Sequence, residues 1–313
     1  MQLDTNLLLH AIPAFLLLVI AENVYIIKEH HSYGTTKEVL ASFALGIGYV
    51  FLAPFTKGIN LLSYTFLYEH RLCDLSNHVF IAWIVCFIGD DFTYYWSHRL
   101  SHEIRFLWAS HAVHHSAETF TLAAALRQSW TNNLTGTFLL WTWMPLFGIS
   151  PAMLLFMKSV NVIYQFWLHT ETIAKLPRWF EYIFNTPSHH RVHHGSNIEY
   201  LDKNHAGVLI IWDRIFHTYQ EEIRKPKYGL TKPIHSNNPL IITFFEWKNL
   251  LSDLKHCSSL REYILYIFKA PGWKPKGRIG TSHALNQQLS IQNKASSFCD
   301  HNCITCILRL NQQ

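Results

Sequence analysis

Histidines are concentrated in the part of the chain where their spacing suits chemistry. The chain has 21 histidines, and ten of them lie between residues 98 and 194. Eight of these form three blocks, with the patterns HxxxH, HxxHH and HxxHH: His98 and His102; His111, His114 and His115; His190, His193 and His194. Residues three and four apart share one face of a helix, with Cβ atoms about 5–6 Å apart. We therefore expect each block to direct two or three imidazoles at one point and to bind metal.

The number of imidazoles favours two metal ions. A structural zinc takes four ligands and a catalytic zinc usually three protein ligands, so eight convergent nitrogens exceed the needs of one ion. Imidazole binds iron, copper, nickel and zinc, so these residues do not select the metal. The alternative is that the histidines only pack in a core. It is disfavoured, because each buried imidazole without a hydrogen-bond partner costs about 1–3 kcal/mol.

The composition indicates an integral membrane protein. Of the 313 residues, 49% are hydrophobic and only 15% are charged, which is too apolar for an ordinary soluble chain. Apolar stretches cover residues 6–27, 39–55 and 79–95, and two more lie between residues 129 and 168 on either side of a turn at 145–151. We predict an all-α integral membrane protein with about four to five transmembrane helices. A cytosolic helical cap would carry the histidine-rich di-metal site.

The charge distribution predicts which side of the membrane holds the histidines. The net charge is +5, and residues 170–313 carry 18 of the 26 Lys and Arg but 11 of the 21 acidic residues. The positive-inside rule places this part in the cytoplasm together with Lys28, Lys37, Arg99 and Arg105, and it leaves Asp4 outside. The protein is thus expected to be multi-pass, with its active site on the cytoplasmic side. No nucleic-acid partner is expected, because the basic residues are scattered and accompany no recognised binding motif.

The two ends of the chain differ from its centre. Residues 1–74 are expected to form N-terminal transmembrane helices, and residues 280–313 are polar and predict a flexible tail. Before the tail, stretches 240–251 and 260–269 are amphipathic, which predicts helices that lie in the membrane interface or pack within the cap. The tail contains a small group of metal-binding residue types, Cys299, His301, Cys303 and Cys306. Such a cluster could hold zinc, but its position at the chain end makes it a poor candidate.

Charged side chains beside the histidines are candidates for supporting roles. Asp91, Tyr95, His98 and His102 are four, three and four residues apart, so they lie along one stripe of a helix. We predict that Asp91 accepts the second N–H of a ligand histidine and fixes its tautomer. The alternative is that Asp91 reaches the lipid headgroups. Glu103, directly after His102, is a candidate for a more distant contact.

Arg127 is the candidate for binding something other than metal. It lies just before a predicted membrane segment, where a guanidinium could hold the polar head of a lipid or the reductant. The alternative is an interfacial arginine whose charged end extends to the headgroups. The lipid tail would then lie between the apolar helices, with the head and the adjoining carbon near the metals.

The histidine blocks and their neighbours resemble the fatty acid hydroxylase/sterol desaturase superfamily of membrane di-iron enzymes. The resemblance rests on DFTYYWSHRLSHE at 91–103, HAVHHS at 111–116 and NTPSHHRVHHG at 185–195. Three further segments are similar to its alkylglycerol monooxygenase branch: TLAAALRQS at 121–129, YQFWLHTE at 164–171 and DKNHAGVLIIWDRIF at 202–216. The resemblance covers residues 75–279, which we therefore expect to be the catalytic domain.

The resemblance implies two iron ions with O2 as the co-substrate. It identifies the eight block histidines as iron ligands and His169 as an additional one. Tetrahydrobiopterin is the reductant in the branch, whereas hydroxylase and desaturase relatives use external electron carriers. The sequence shows no haem, flavin or iron–sulfur motif, so an external electron donor is expected. Two residues depart from the branch: His205 stands where Tyr is usual, and His217 stands where Gly is usual.

The function implied by the resemblance is that of an oxidoreductase, a membrane di-iron monooxygenase that hydroxylates a lipid C–H bond. Cleavage of an alkylglycerol ether is one candidate for its reaction. A sterol or fatty-acyl hydroxylase or desaturase is the alternative with the same chemistry. A non-catalytic membrane metal-binding or transport protein is an alternative of another class, but transport would distribute ligands along a path through the bilayer. A zinc hydrolase would need a motif such as HExxH, which the sequence lacks.

Overall fold

Long helices form the membrane part of the molecule. The computed structural model describes residues 7–30, 36–275, 280–282 and 284–289. Its first three elements are α1 (Leu7–His30), α2 (Thr36–Glu69) and α3 (Val79–Glu103). Each contains a segment long and apolar enough to cross a membrane: Leu7–Glu29, Thr36–Phe55 and Val79–Glu103. The other regular elements in these ranges are also helices, apart from one isolated bridge between Phe184 and Leu209. The expected all-α fold, with helices long and apolar enough to span a membrane, is confirmed for the described residues.

Helix α3 is the most deeply packed of the three. Only 17% of the apolar window of α1 and 22% of that of α2 are buried inside the protein, against 39% for α3. Large apolar side chains such as Leu17, Phe51 and Phe55 are exposed on α1 and α2, as expected for helices that face lipid. The second half of α3 instead buries polar residues from Asp90 to His102. It therefore leads from the apolar region directly into the histidine blocks.

The segment between residues 129 and 146 differs from its expected single span. It forms two 3-10 helices, Asn132–Thr135 and Thr137–Trp141, followed by the short helix α5 (Trp143–Leu146). Threonine hydroxyls donate to nearby carbonyls here, as in Thr135 to Asn132 at 2.6 Å, and such bonds compete with a regular helix. Gly136, with φ of 79°, separates the two 3-10 helices.

The segment after the turn forms a regular helix, α6 (Pro151–Phe166). The Ser150 side chain accepts the backbone N–H of Met153, and Pro151 occupies the first turn, which are both favourable at a helix N-terminus. Helix α6 packs against α1 and α3. It is shorter than the three long helices, and the number of membrane crossings stays a prediction.

Further helices follow the long ones in the chain, and two of them carry histidines of the second and third blocks. They are α4 (Arg105–His111), α7 (Arg178–Ile183), α8 (Pro187–His193), α9 (Ile211–Ile215), α10 (Pro239–Lys255) and α11 (Leu260–Phe268). Helix α4 packs against α3, α10 and α11, and its buried Arg105 binds Asp253 of α10 at 2.6 Å. The predicted amphipathic stretches are thus helices, and they keep apolar side chains such as Leu251 and Phe268 exposed.

Some expectations concern residues that lie outside the described ranges. The group Cys299, His301, Cys303 and Cys306 lies outside the described residues, as does Asp4. The regions 1–74, 75–279 and 280–313, the cytosolic position of the cap and the orientation of the helices stay predictions.

Candidate metal centre

Nine histidines come together in two groups. The first group consists of His98, His102, His111, His115 and His193. The second group consists of His114, His169, His190 and His194. Within each group, one ring nitrogen of every member lies within 4.8 Å of the others. These nine residues are the eight block histidines together with His169, whereas His189 belongs to neither group.

The two HxxHH blocks divide their side chains between the groups, contrary to our expectation that each block points to one place. His111 and His115 enter the first group, while His114 between them enters the second. The other block is reversed, since its i and i+4 members enter the second group and His193 enters the first. The blocks sit at helix ends, where α4 gives way to the 3-10 helix His114–Ser116 and where α8 ends at His193. Both groups therefore depend on the second and third blocks.

Backbone carbonyls and one carboxylate orient the first group. The Nδ1–H of His98 donates to the carbonyl of His205 at 2.8 Å, and that of His193 donates to the carbonyl of Lys203 at 2.9 Å. The Nδ1 of His102 lies 3.3 Å from the carboxylate of Asp202. The loop 202–205 thus fixes the tautomers of three imidazoles and leaves each Nε2 unprotonated.

The second group is oriented in the same way by other elements. His169 donates from Nδ1 to the carbonyl of Gln165 at 3.0 Å, one turn earlier in α6. The Nδ1 of His114 lies 3.4 Å from the carbonyl of Arg127. Because a carbonyl can only accept, both histidines carry their proton on Nδ1, and their Nε2 atoms are free to bind metal.

The contacts between Nε2 atoms fit metal ligands. The Nε2 atoms of His114 and His169 lie 3.1 Å apart, and those of His169 and His190 lie 2.9 Å apart. His114 and His169 both lack a proton on Nε2, so no hydrogen bond can join them. Two nitrogens bound at right angles to one ion at about 2.1 Å are about 3.0 Å apart. A cation between the rings accounts for these distances.

The distances between Nε2 atoms in the first group also fit metal ligands. The Nε2 of His111 lies 3.1 Å from the Nε2 of both His98 and His115. The Nε2 atoms of His102 and His193 are buried and have no hydrogen-bond partner among the described residues. A buried nitrogen without a partner is destabilising, and a metal ion would satisfy it. The residues present therefore fit one ion in each group.

Burial favours the neutral form of the imidazoles that follow α3 in the chain. It lowers the pKa of His114 to about 4, and with the neighbouring imidazoles it lowers the pKa values of the other group members that follow α3 well below the ordinary range: His111, His115, His169, His190, His193 and His194. Since neutral imidazole is the form that binds metal, the site needs no proton release at neutral pH. Within the described residues, neither group includes an Asp, Glu or Cys.

Asp91 does not contact a ligand histidine, so the expected bond is wrong. Its fully buried carboxylate accepts the backbone N–H groups of Val208 at 2.7 Å and Leu209 at 3.0 Å. It also accepts the indole N–H of Trp212 at 3.0 Å. The reason is that the segment after loop 202–205 crosses α3 at this level and supplies unpaired donors. Asp91 therefore holds this segment in place and acts on the histidines through it.

Two other aspartates complete this support, and neither was predicted from the sequence. Asp202 is the carboxylate that contacts His102. Asp213 accepts the backbone N–H groups of His205 and Ala206, each at 2.8 Å. One sign of them was present in the sequence, because Asp202 and Asp213 are the first and last residues of the segment DKNHAGVLIIWD. Without the fold, nothing indicated that its loop faces the histidines.

Glu103 and Arg127 lie outside both groups. The Glu103 side chain is 41% exposed and pairs with Arg99 at 2.8 Å, and Arg99 also donates to the hydroxyl of Tyr95 at 3.1 Å. The guanidinium of Arg127 is buried, and its Nε donates to Ser116 Oγ at 2.8 Å. Arg127 thus supports the second group through its own carbonyl, and its proposed contact with a headgroup or reductant stays a prediction.

Gly207 gives a test of how tightly this segment is packed. A Cβ at this position would lie 2.7 Å from Asn161, 2.8 Å from Tyr94 and 2.9 Å from Asp91. We expect Gly207→Ala to lower stability by about 1–3 kcal/mol, because overpacking displaces the Asp91 carboxylate. Thermal unfolding of the purified protein measures this. Gly58→Ala is the matched control, since its Cβ would meet nothing within 4 Å, and equal unfolding temperatures for the two variants would contradict the expectation.

Comparison with known proteins identifies the region that holds these histidines. The fatty acid hydroxylase family model matches residues 83–218. The chain is 39% identical to alkylglycerol monooxygenase of Homo sapiens over 279 residues, which are 88% of this chain and 62% of that protein. It is 39% identical to the Xenopus tropicalis alkylglycerol monooxygenase over 233 residues, 74% of this chain and 52% of that protein. No solved structure gives a significant match.

A bacterial protein is also similar over a shorter stretch. The ornithine lipid hydroxylase OlsE of Rhizobium tropici is 28% identical over 134 residues, 43% of this chain and 40% of that protein. The chain spans about half to three fifths of the length of the vertebrate relatives it matches. All nine histidines of both groups lie within the matched region. Residues 83–218 therefore match the fatty acid hydroxylase family, in agreement with the resemblance of the histidine blocks.

Proposed function

We propose that this protein is a membrane di-iron monooxygenase that hydroxylates a lipid C–H bond with O2 and an external reductant. The observation that carries the proposal is the pair of convergent imidazole groups at the end of a membrane-spanning helix. The family match and the alkylglycerol monooxygenase relatives favour the ether-cleaving reaction. The relative named as an ornithine lipid hydroxylase keeps hydroxylation of another lipid as the second candidate.

The two groups would hold one iron ion each. The five histidines of the first group would be the ligands of one ion, and the four of the second group would be the ligands of the other. When bound, iron supplies the redox chemistry that activates O2, which zinc does not provide. The protein's own part is to orient five of the nine imidazoles: loop 202–205 orients His98, His102 and His193, Gln165 orients His169 and Arg127 orients His114.

The proposed reaction on an alkylglycerol is balanced by two electrons from outside the chain. One oxygen atom of O2 enters the C–H bond next to the ether oxygen, and the other leaves as water with two protons. The hemiacetal that results breaks its C–O bond to give a fatty aldehyde and glycerol. Tetrahydrobiopterin or an external electron carrier would be the donor of the electrons. Nucleic acid has no part in this function.

An apolar groove supports a lipid substrate. It has a volume of about 310 Å³ and is lined by Ile84, Val85, Ile88, Gly89, Phe92, Trp143 and Trp212. Most of these residues belong to α3, which carries His98 and His102 in its next turns, and Trp212 is bound to Asp91. We infer that a lipid tail lies along this groove while its head approaches the metals from the cytoplasmic side.

Turnover of the purified protein tests the function. Full-length protein in lipid nanodiscs is loaded with iron, and O2 consumption is measured with a long-chain alkylglycerol and tetrahydrobiopterin. We expect about two irons per chain, fatty aldehyde as the product and no turnover without a reductant. Zinc in place of iron, or iron without any lipid-dependent O2 consumption, would contradict the proposal. Hydroxylation of a fatty-acyl or ornithine lipid with no ether cleavage would favour the second candidate.

The chain length of the substrate tests the groove. Each buried CH2 contributes about 0.8 kcal/mol, so we expect KM to rise roughly tenfold for every two methylenes removed once the tail no longer fills the groove. The measurement compares alkylglycerols of decreasing chain length at constant headgroup. Equal kcat/KM for long and short water-soluble ethers would show that the membrane helices serve only as an anchor.

A further inference from the structure

His205 is a tenth buried imidazole beside the two groups. Its side chain has 0% exposure, and neither ring nitrogen has a hydrogen-bond partner among the described residues. The ring centroid lies 5.0 Å from that of His102, 5.7 Å from that of His193 and 5.8 Å from that of His98. It therefore borders three members of the first group.

The position of His205 is fixed by its main chain. Its N–H donates to Asp213 and its carbonyl accepts from His98, so the residue cannot turn away without disturbing a ligand histidine. A neutral imidazole always carries one N–H, and a buried donor without an acceptor is destabilising. The hydroxyl of the neighbouring Tyr95 already contacts Thr218 and Arg99. The backbone carbonyl of Asp202 lies near the ring, but neither ring nitrogen forms a hydrogen bond of good geometry within the described residues. A well-aligned acceptor for His205 therefore has to come from something that the protein binds.

The geometry indicates that His205 is not itself a metal ligand. The five nitrogens of the first group lie within 4.8 Å of one another, and His205 is not among them. Five imidazoles would hold the ion, and a water molecule or a small anion would be a further ligand that the protein does not supply. Such a ligand would lie beside His205, which borders three of the five imidazoles, and it could accept a hydrogen bond from the ring.

We propose that His205 donates its ring N–H to a water molecule or small anion bound at the first group, and so positions this non-protein ligand. The inference rests on the proposed metal centre. His205 is then a positioning residue that acts on a bound small molecule and contributes nothing to holding the metal. Azide is a suitable probe, because it binds ferric iron, accepts hydrogen bonds and gives a charge-transfer absorption band.

The experiment titrates azide into the oxidised, iron-loaded protein in nanodiscs and measures iron per chain in the same samples. For His205→Phe we expect unchanged iron and an azide Kd raised about tenfold, the effect of one lost hydrogen bond to an anion. His205→Tyr, which keeps an aromatic ring and a donor, should return the Kd to near the wild-type value. His189→Phe is the matched control, since His189 is equally buried but belongs to neither group, and its azide Kd should equal that of the wild type.

Each other outcome has a distinct meaning. Full iron with an unchanged azide Kd in His205→Phe would overturn the inference and leave the proposed function intact. Loss of one iron in that variant would also overturn it, because His205 would then be a ligand. A wild-type protein that binds no iron would instead contradict the metal centre itself. If His205→Phe does not fold, the wild-type protein provides the test. The stretching frequency of bound azide should shift in D2O, because an N–H group donates to the azide. Absence of this shift would overturn the inference.

Discussion

Replacing His193 or His190 with Ala is expected to abolish turnover. His193 belongs to the first group and His190 to the second, so each variant would remove one ligand from a different one of the two proposed ions and disturb the proposed two-metal site. The same loss is expected for the other seven members of the two groups. Iron content should fall in each variant, and the absorption and Mössbauer signals that remain should differ between His193→Ala and His190→Ala.

The control for this pair lies in the same block. His189→Ala removes a buried imidazole that belongs to neither group and contacts Thr186 instead. It should keep iron and turnover if it folds, which the unfolding temperature reports. Wild-type rates in both His193→Ala and His190→Ala would exclude these histidines as ligands.

The second large effect is expected at the aspartates behind the first group. Asp202→Ala removes the carboxylate beside His102 Nδ1, and such outer partners change metal affinity or activity by roughly 10- to 100-fold. Asp91→Asn should act through the segment it holds, because an amide in place of the carboxylate turns an NH2 group toward the N–H of Val208 or Leu209. Both variants should weaken iron at the first group more than at the second.

Two measurements separate the effects of the two substitutions: iron affinity, by competition with a chelator, and the unfolding temperature. Asp91→Asn should lower the stability of the protein even without iron, by about 1–3 kcal/mol, because a buried donor is left unpaired. Asp202 is 29% exposed, so Asp202→Ala should affect mainly the metal-loaded protein. Asp74→Asn is the control, since this exposed residue has Arg71 and Ser76 as its partners among the described residues, away from both groups. Iron affinity unchanged in both Asp202→Ala and Asp91→Asn would mean that the first group is oriented without them.

The histidine positions were predictable because spacing along a helix is a local property. The pairs His98 and His102, His111 and His115, and His190 and His194 each share a group, as their i and i+4 spacing indicates. The division of the HxxHH blocks was not predictable, because it depends on where short helices end. The apolar helices were also evident, since an all-round apolar stretch has few alternatives to a membrane.

The supporting contacts were not predictable because they join distant parts of the chain. Asp91 looked like a partner of a histidine on its own helix, yet its acceptor atoms are used by Val208 and Leu209, more than a hundred residues later. Loop 202–205 depends on positive φ angles at Asp202 and Asn204, which are rare for residues other than glycine. The broken helices at 132–146 also depend on tertiary contacts such as the bond from Trp141 to Asp90.

The two groups take most of their histidines from different parts of the chain, which affects the order in which they form during synthesis. Four of the five imidazoles of the first group come from residues 98–115, whereas three of the four in the second come from residues 169–194. A nascent chain that has passed His115 but not His169 offers four imidazoles to the first ion and only His114 to the second. The two ions would therefore be acquired at different stages of synthesis, and firm retention of even the first must wait until loop 202–205 has left the ribosome.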